Sequence, residues 1–189
     1  MNYRIGFGYD VHQLVENRDF WLGGIKIPFV KGALGHSDAD VLIHVICDAI
    51  LGAANLGDIG KHFPDNSKDY KDIDSKILLS KVVSMISERG YEIVNIDSTI
   101  CLQTPKLSPY ISSMKEELSK CMGIGTDDIS IKATTTERLG FVGKEKGVSA
   151  FLYKFQRLVF FQRPFFKINL LFFDFKVKSL ASYVWIFTN

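Results

Sequence analysis

At 189 residues, with 47% hydrophobic residues and a net charge of +2, the chain has the size of one domain with a full core, or of one domain with an appendage. That charge gives no electrostatic footprint for nucleic acid, and the basic residues of the body are scattered. Cys47, Cys101 and Cys121 form no CxxC pair, no apolar run reaches membrane-spanning length, and the N-terminus carries no signal-like segment, so a soluble cytoplasmic protein with free thiols is expected.

In chain order, residues 3–9 predict a strand holding Gly6 and Gly8 and running into Asp10-Val11-His12. Asp10 and His12, two apart, point to one side of extended chain. Residues 20–22 and 25–30 flank Gly23-Gly24, a two-residue hairpin signal. Residues 31–35 read as a flexible link, after which Ser37 or Asp38 can cap a helix ending between Gly52 and Gly57. His36, Asp40, His44 and Asp48 recur every fourth position. Each such step drifts only about 40° around a helix, so they predict one polar stripe on an apolar helix. Burying imidazoles and carboxylates among aliphatics is costly unless they are paired or bind a metal. Gly57 to Asp65 is a long polar loop.

Asp74 can cap a second helix over 75–89, with Leu78, Val82 and Ile86 on one face and Gly90 as its stop. Alternation of Val94, Ile96, Ile100 and Leu102 predicts a strand over 91–103. Ser108 and Pro109 open a third helix that Gly123 ends. Ile129, Ile131 and Ala133 alternate in another strand, Gly140 to Gly143 is a turn, and Val148 begins a last strand. The order describes an α/β or α+β domain with a small mixed sheet.

Residues 151–189 differ in style. They hold ten of the fifteen phenylalanines, no glycine, six Lys/Arg and one acid, against 17 Lys/Arg and 20 acids in residues 1–150. Domain boundaries are therefore set at 1–150 and 151–189.

Four constellations could carry chemistry. Asp10, His12 and His44 supply two imidazoles and a carboxylate, the donor set of a catalytic zinc, although such spacing alone more often marks a hydrogen-bonded cluster. Gly57-Asp58-Ile59-Gly60 with Phe63-Pro64-Asp65 could grip hydroxyls or a metal-bridged phosphate, and alone reads as an ordinary turn. Lys132 to Arg138 places three threonines and two cations at a strand end, suited to an anion, or merely a strand rich in β-branched residues. Thr104-Pro105-Lys106 precedes a helix N-terminus, where anions bind, and alone is a Pro-containing turn.

Together, residues 4–14 (RIGFGYDVHQL), 36–44 (HSDADVLIH), 52–65 (GAANLGDIGKHFPD), 103–107 (QTPKL) and 132–143 (KATTTERLGFVG) resemble the motifs, in order, of the 2-C-methyl-D-erythritol 2,4-cyclodiphosphate synthase family. The resemblance covers roughly residues 3–150. It implies an α+β sandwich, with a small mixed four-stranded sheet, helices on one face and a short hairpin. It implies a lyase that closes 4-diphosphocytidyl-2-C-methyl-D-erythritol 2-phosphate into a cyclic diphosphate and releases CMP. On this resemblance Asp10, His12 and His44 hold Zn2+ or another divalent cation, and Mg2+ or Mn2+ bridges the substrate diphosphate. His36 and Thr135 match transition-state-stabilising positions, and His36-Ser37 contact phosphate, with Asp10, Val11 and His12 beside the substrate. Asp58, Ile59 and Gly60 match the loop that holds the erythritol hydroxyls, continued by Phe63, Pro64, Asp65, Asn66 and Ser67. Leu102, Gln103, Thr104, Pro105, Lys106, Leu107 and Ser108 match the cytidine pocket. Thr134, Thr135, Thr136, Glu137, Phe141 and Lys144 complete the nucleotide side. Family members often carry arginine where Lys144 stands; lysine keeps the charge and loses the bidentate fork. Asp40 and Asp48 are expected to orient the histidines, with Asp48 the better placed. His62 is expected on the loop surface.

The resemblance further implies a homotrimer with sites between subunits, and no membrane or nucleic-acid partner. From about Phe151 the sequence departs from the family, as a shifted reading frame, read-through or a real extension would make it. Two rival readings follow: a zinc- and nucleotide-binding homologue whose tail prevents trimerisation, and a generic metal-dependent phosphohydrolase.

Overall fold

The computed structural model describes residues 3–159. Five strands form one mixed sheet in the order β4-β1-β7-β5-β6: β1 (Tyr3–Glu16), β4 (Lys31–Leu34), β5 (Tyr91–Cys101), β6 (Ile129–Thr134) and β7 (Gly147–Leu158). β1 runs antiparallel to β4 and β7, β5 antiparallel to β7, and β6 parallel to β5. The short strands β2 (Phe20–Leu22) and β3 (Ile25–Ile27) form the hairpin, with Gly23 (φ 62°) and Gly24 (φ 81°) both left-handed, as its two-residue turn requires. The helices are α1 (Val41–Ala53), α2 (Ile59–His62), α3 (Ser75–Ser87), α4 (Ile111–Met122) and α5 (Gly140–Gly143). α1 lies on β1 and β7, α3 packs on α1, and α4 on α3 and β6. No helix among the described residues is long and apolar enough to cross a membrane.

The α+β class, the one-sided helix layer and the hairpin are as expected, but the sheet has five strands where four were expected. The extra strand is residues 31–34, read above as a flexible link. It pairs with β1 through Gln13↔Leu34 and Glu16↔Lys31. Lys-Gly-Ala-Leu has little strand propensity, so pairing, rather than sequence, makes it a strand.

The start of α1 also differs. The cap is Asp40, not Ser37 or Asp38. Its carboxylate accepts from Leu42 and Ile43 in the helix (3.1 and 3.0 Å) and from Gly23 and Gly24 in the hairpin turn (2.9 and 2.7 Å). Burial raises its pKa against these four N–H donors. Asp40 is thus a buried staple between hairpin and helix. With His36 also before the helix, only His44 and Asp48 of the expected stripe are helical. Ser108 and Pro109 open a single 3₁₀ turn, Ser108–Tyr110, capped by Leu107 rather than Ser108, and α4 follows with Tyr110 at its cap.

Gly6 and Gly8 face the helices. A Cβ on Gly6 would lie 1.8 Å from the Ala49 carbonyl oxygen, and one on Gly8 2.1 Å from that of Val45. Their absence of side chains lets β1 lie flush against α1. On the opposite face Ile5, Phe7, Tyr9, Phe151, Tyr153 and Phe155 are exposed, with Phe7 against Tyr153 and Tyr9 against Phe151 at 5.0 and 4.9 Å.

β7 crosses residue 150 without a break, paired in one register with β1 as far as Arg157 and with β5 to Leu158 across a bulge between Ile93 and Asn95. The core-facing positions Val148, Ala150 and Leu152 are followed by Lys154 and Gln156, both fully buried. Lys154 Nζ donates to Gln156 Oε1, and burial pulls the amine from its ordinary 10.5 to about 7. The folded state thus binds fewer protons than the unfolded chain between those values, so stability should rise with pH from about 7 to 10.5. The slope approaches about 1.4 kcal/mol per pH unit mid-window. Lys154→Leu should remove that climb and stabilise the protein most below pH 7, as urea unfolding across pH will test; a variant with the same pH slope as the parent would count against the buried amine. Residues 160–189, most of the atypical tail, lie outside the described residues.

Candidate functional site

β1 and α1 bring the predicted triad together. His12 Nε2 and His44 Nδ1 are 3.0 Å apart, and Asp10 Oδ2 is 3.1 Å from each. All three donor atoms lie within 4.8 Å of one another, and the side chains are only 16%, 14% and 27% exposed for His12, His44 and Asp10. Burial would raise the Asp10 carboxyl, but hydrogen bonds and charge from His12 and His44 outweigh it and hold the group well below the usual carboxylate range. Two imidazole nitrogens and an anionic oxygen converging on one point make a donor set that fits a divalent cation.

The triad opens into a cleft of about 420 Å³ lined by His12, Gly35, His36, Ser37, His44, Ile59, Gly60, Phe63, Pro64 and Asp65, and by Tyr70, Ile73 and Leu78. The expected erythritol loop therefore lies beside the expected metal ligands. His36 Nε2 bonds the Ser67 carbonyl at 2.9 Å. Asp58 Oδ1 caps α2 through the Lys61 N–H at 2.9 Å. Asn66 and Asp65 are exposed. His62 is half-buried and bonds the Leu56 carbonyl at 3.0 Å.

A second cleft, of about 220 Å³, is lined by Leu102, Gln103, Pro105, Lys106, Leu107 and Ser108 from one segment, with Ala133, Thr134 and Thr135 from the end of β6. Parallel pairing of β5 and β6, ending at Cys101↔Thr134, sets these segments side by side. Thr135 Oγ1 donates to Glu137 at 2.9 Å, Thr136 Oγ1 to the Leu139 carbonyl, and Phe141 and Lys144 are exposed. His36 lines the first cleft and Thr135 the second, so the two expected transition-state groups do not share a cleft within one chain.

Asp48 makes no hydrogen bond to the histidines: its Oδ1 accepts from the Ile59 N–H at 2.8 Å and so anchors the loop that begins there. Burial raises its carboxyl, with Asp58 and Asp10 adding to the effect and the Ile59 N–H opposing it. The groups that do reach His44 from behind are Ser37 and Ser75, whose hydroxyls lie 3.1 and 3.2 Å from Nε2. Ser75 was legible only as the residue after the Asp74 cap; nothing in its spacing pointed to the triad.

Fold and site define a small α+β protein with a two-histidine, one-aspartate cluster, fit to hold a cation, at the mouth of a cleft of about 420 Å³. The YgbB family model matches residues 3–154, and the chain belongs to that family, the 2-C-methyl-D-erythritol 2,4-cyclodiphosphate synthases. It is 64% identical to the synthase of that name from Bacteroides fragilis over 151 residues, 80% of this chain and 95% of the relative. Among solved structures it is similar to IspF of Plasmodium falciparum in complex with CDP, at 34% identity and TM-score 0.74, covering 84% of this chain and 97% of that one. It is also similar to the bifunctional IspDF of Campylobacter jejuni, at 38% identity and TM-score 0.80, covering 83% of this chain but 42% of that one.

Proposed function

We propose that the chain is a phosphorus–oxygen lyase that converts 4-diphosphocytidyl-2-C-methyl-D-erythritol 2-phosphate to 2-C-methyl-D-erythritol 2,4-cyclodiphosphate and CMP. The observation that carries this reading is the convergence of Asp10, His12 and His44 at a cleft bordered by His36, Ser37 and the 59–65 loop, in a chain 64% identical to a synthase of that name. In the reaction an oxygen of the 2-phosphate attacks the phosphorus on the erythritol side of the diphosphate. The bond from that phosphorus to the CMP oxygen breaks. Nucleophile and electrophile are both anionic, so the protein has to screen their repulsion and hold them in line.

Asp10, His12 and His44 would hold the cation, zinc by its preference for this donor set, and it would supply Lewis-acid charge for the phosphate. A second cation, magnesium or manganese, would offset the charge of the substrate diphosphate. His36 and the Ser37 hydroxyl bind phosphate oxygens. Asp58, Ile59 and Gly60, fixed through Asp48, take the erythritol hydroxyls, with Phe63 to Ser67 closing that side. The segment Leu102–Ser108 and residues Thr134–Glu137, Phe141 and Lys144 hold the cytidine nucleotide.

The working unit is a homotrimer. The bare aromatic face of β1 and β7 suits burial by other copies, and a second copy would bring the Thr135 cleft of one chain to the His36 cleft of the next. The domain proper runs past the expected boundary at 150 to the end of β7 at Leu158, with the rest an appended tail. Free cysteines suit the cytoplasm.

Incubation with the cytidine diphosphate substrate, zinc and magnesium, followed by phosphorus NMR, tests the reading. Release of CMP with a cyclic diphosphate supports it. A product heavier by one water would mean a phosphohydrolase, and zinc binding without turnover an inert homologue. Lys106→Ala should weaken CMP binding about tenfold by removing one charged contact, with zinc affinity unchanged; calorimetry with CMP will show whether Lys106 belongs to the pocket.

A further inference from the structure

His44 presents Nδ1 to Asp10 and His12 and turns Nε2 the other way, into the protein. Two hydroxyls meet Nε2: Ser37 Oγ at 3.1 Å and Ser75 Oγ at 3.2 Å. Ser75 is fully buried. Its Oγ lies 2.5 Å from Asp38 Oδ1, and its backbone N–H donates to Asp38 Oδ2 at 3.0 Å. The same carboxylate accepts the Asp40 N–H at 3.2 Å, and the Asp38 N–H donates to the Ile73 carbonyl at 3.1 Å. Asp38 thus clamps the first residue of α3 from both sides.

Proton counting fixes the direction of this chain. A serine hydroxyl has one proton and two lone pairs. The acceptor-only carboxylate of Asp38 takes the Ser75 proton, so toward His44 the Ser75 oxygen can only accept. Nε2 of His44 therefore carries a proton when it bonds Ser75, so that a cation displacing the Nδ1 contact to Asp10 would meet the lone pair on Nδ1, the nitrogen that faces Asp10 and His12. Ser37 accepts the Ala39 N–H at 3.1 Å and fits the same arrangement.

We propose that Ser75 and Asp38 are positioning residues for the cation site, holding His44 in the Nε2–H tautomer with Nδ1 aimed at the ligand point. The inference rests on the cation-binding reading of Asp10, His12 and His44. A carboxylate usually plays this part directly on the imidazole; here a serine stands between, and the carboxylate that matters is Asp38, outside the helix, rather than Asp48 within it.

The test uses the full chain and zinc alone. In competition with a chromophoric chelator, Ser75→Ala should bind zinc about 10- to 100-fold more weakly than the parent, the range that loss of such a partner usually costs. Ser75→Thr, which keeps the hydroxyl, should recover most of that loss. In the zinc-loaded parent, nitrogen-15 NMR should find a His44 Nε2 proton protected from exchange with water. In Ser75→Ala that proton should exchange freely, a change that altered packing alone does not produce. Zinc affinity within twofold of the parent in Ser75→Ala would overturn the proposal, as would an unprotected His44 Nε2 proton in the parent, which needs no variant to fold. The two readings separate cleanly. If His44→Ala keeps its zinc, the cation site itself is misassigned; if only Ser75→Ala keeps it, the site stands and the positioning role is lost.

Discussion

His44→Ala should abolish stoichiometric zinc binding and lower turnover by about a thousandfold or more. The variant leaves Asp10 and His12, two donors where a catalytic zinc needs three from the protein. The charge the cation supplies to the developing transition state is worth several kcal/mol, and about 1.4 kcal/mol is a factor of ten in rate. His44 is the fourth residue of α1 with its neighbours Ile43 and Val45 fully buried, while its own side chain borders the cleft, so its removal should leave α1 folded. Metal content after dialysis and the rate of CMP release are the two measurements. Full zinc in the variant would take His44 out of the ligand set.

Gly8→Ala should be among the most damaging single-methyl changes in the described residues. The new Cβ would meet the Val45 carbonyl oxygen at 2.1 Å, with further backbone atoms at 2.9 and 3.1 Å. None of these is the end of a flexible side chain, so strand and helix must part. Overpacking of this kind costs about 3 kcal/mol or more. The damage reaches the site, because Gly8 stands two residues before Asp10 and Val45 directly follows His44. Both lower urea stability and weaker zinc binding are expected. Gly52→Ala is the control: it lies in α1 with nothing within 4 Å of a new Cβ, and should be neutral or stabilising by up to about 1 kcal/mol. Equal stability of the Gly8→Ala variant and the parent would mean that β1 and α1 are not in the close contact described.

Much of this arrangement was legible in the sequence, for physical reasons that differ by element. The hairpin was, because Gly23-Gly24 supplies two left-handed residues. The second helix was, because Asp74 caps it and its apolar residues recur at helical spacing. The triad was visible as residue types, yet its assembly depends on two glycines whose purpose shows only when α1 is in place. Strand β4 was missed because its hydrogen bonds come from β1, not from its own residues. Asp40 was expected behind the histidines because fourfold spacing assumes an unbroken helix, whereas α1 begins at Val41; Asp48 does lie one turn beyond His44, but the Ile59 N–H takes its carboxylate. Asp38 and Ser75 were missed because they come from different elements, and no one-dimensional pattern joins them. The two clefts were legible as motifs, but their separation within one chain was not.

The position of β7 has a consequence for how the protein is made. It is the central strand, with β4-β1 on one side and β5-β6 on the other, and among the described residues no other strand joins the halves. It is also the last strand of the described chain, pairing Arg157 with Tyr3. During synthesis, β1 must therefore wait, unpaired on that edge, until nearly the whole domain has emerged. Contacts so distant in sequence make folding slow and leave an open edge exposed meanwhile. A change within residues 147–158 thus acts on the strand that closes the sheet, and so on how long the nascent chain keeps an open edge.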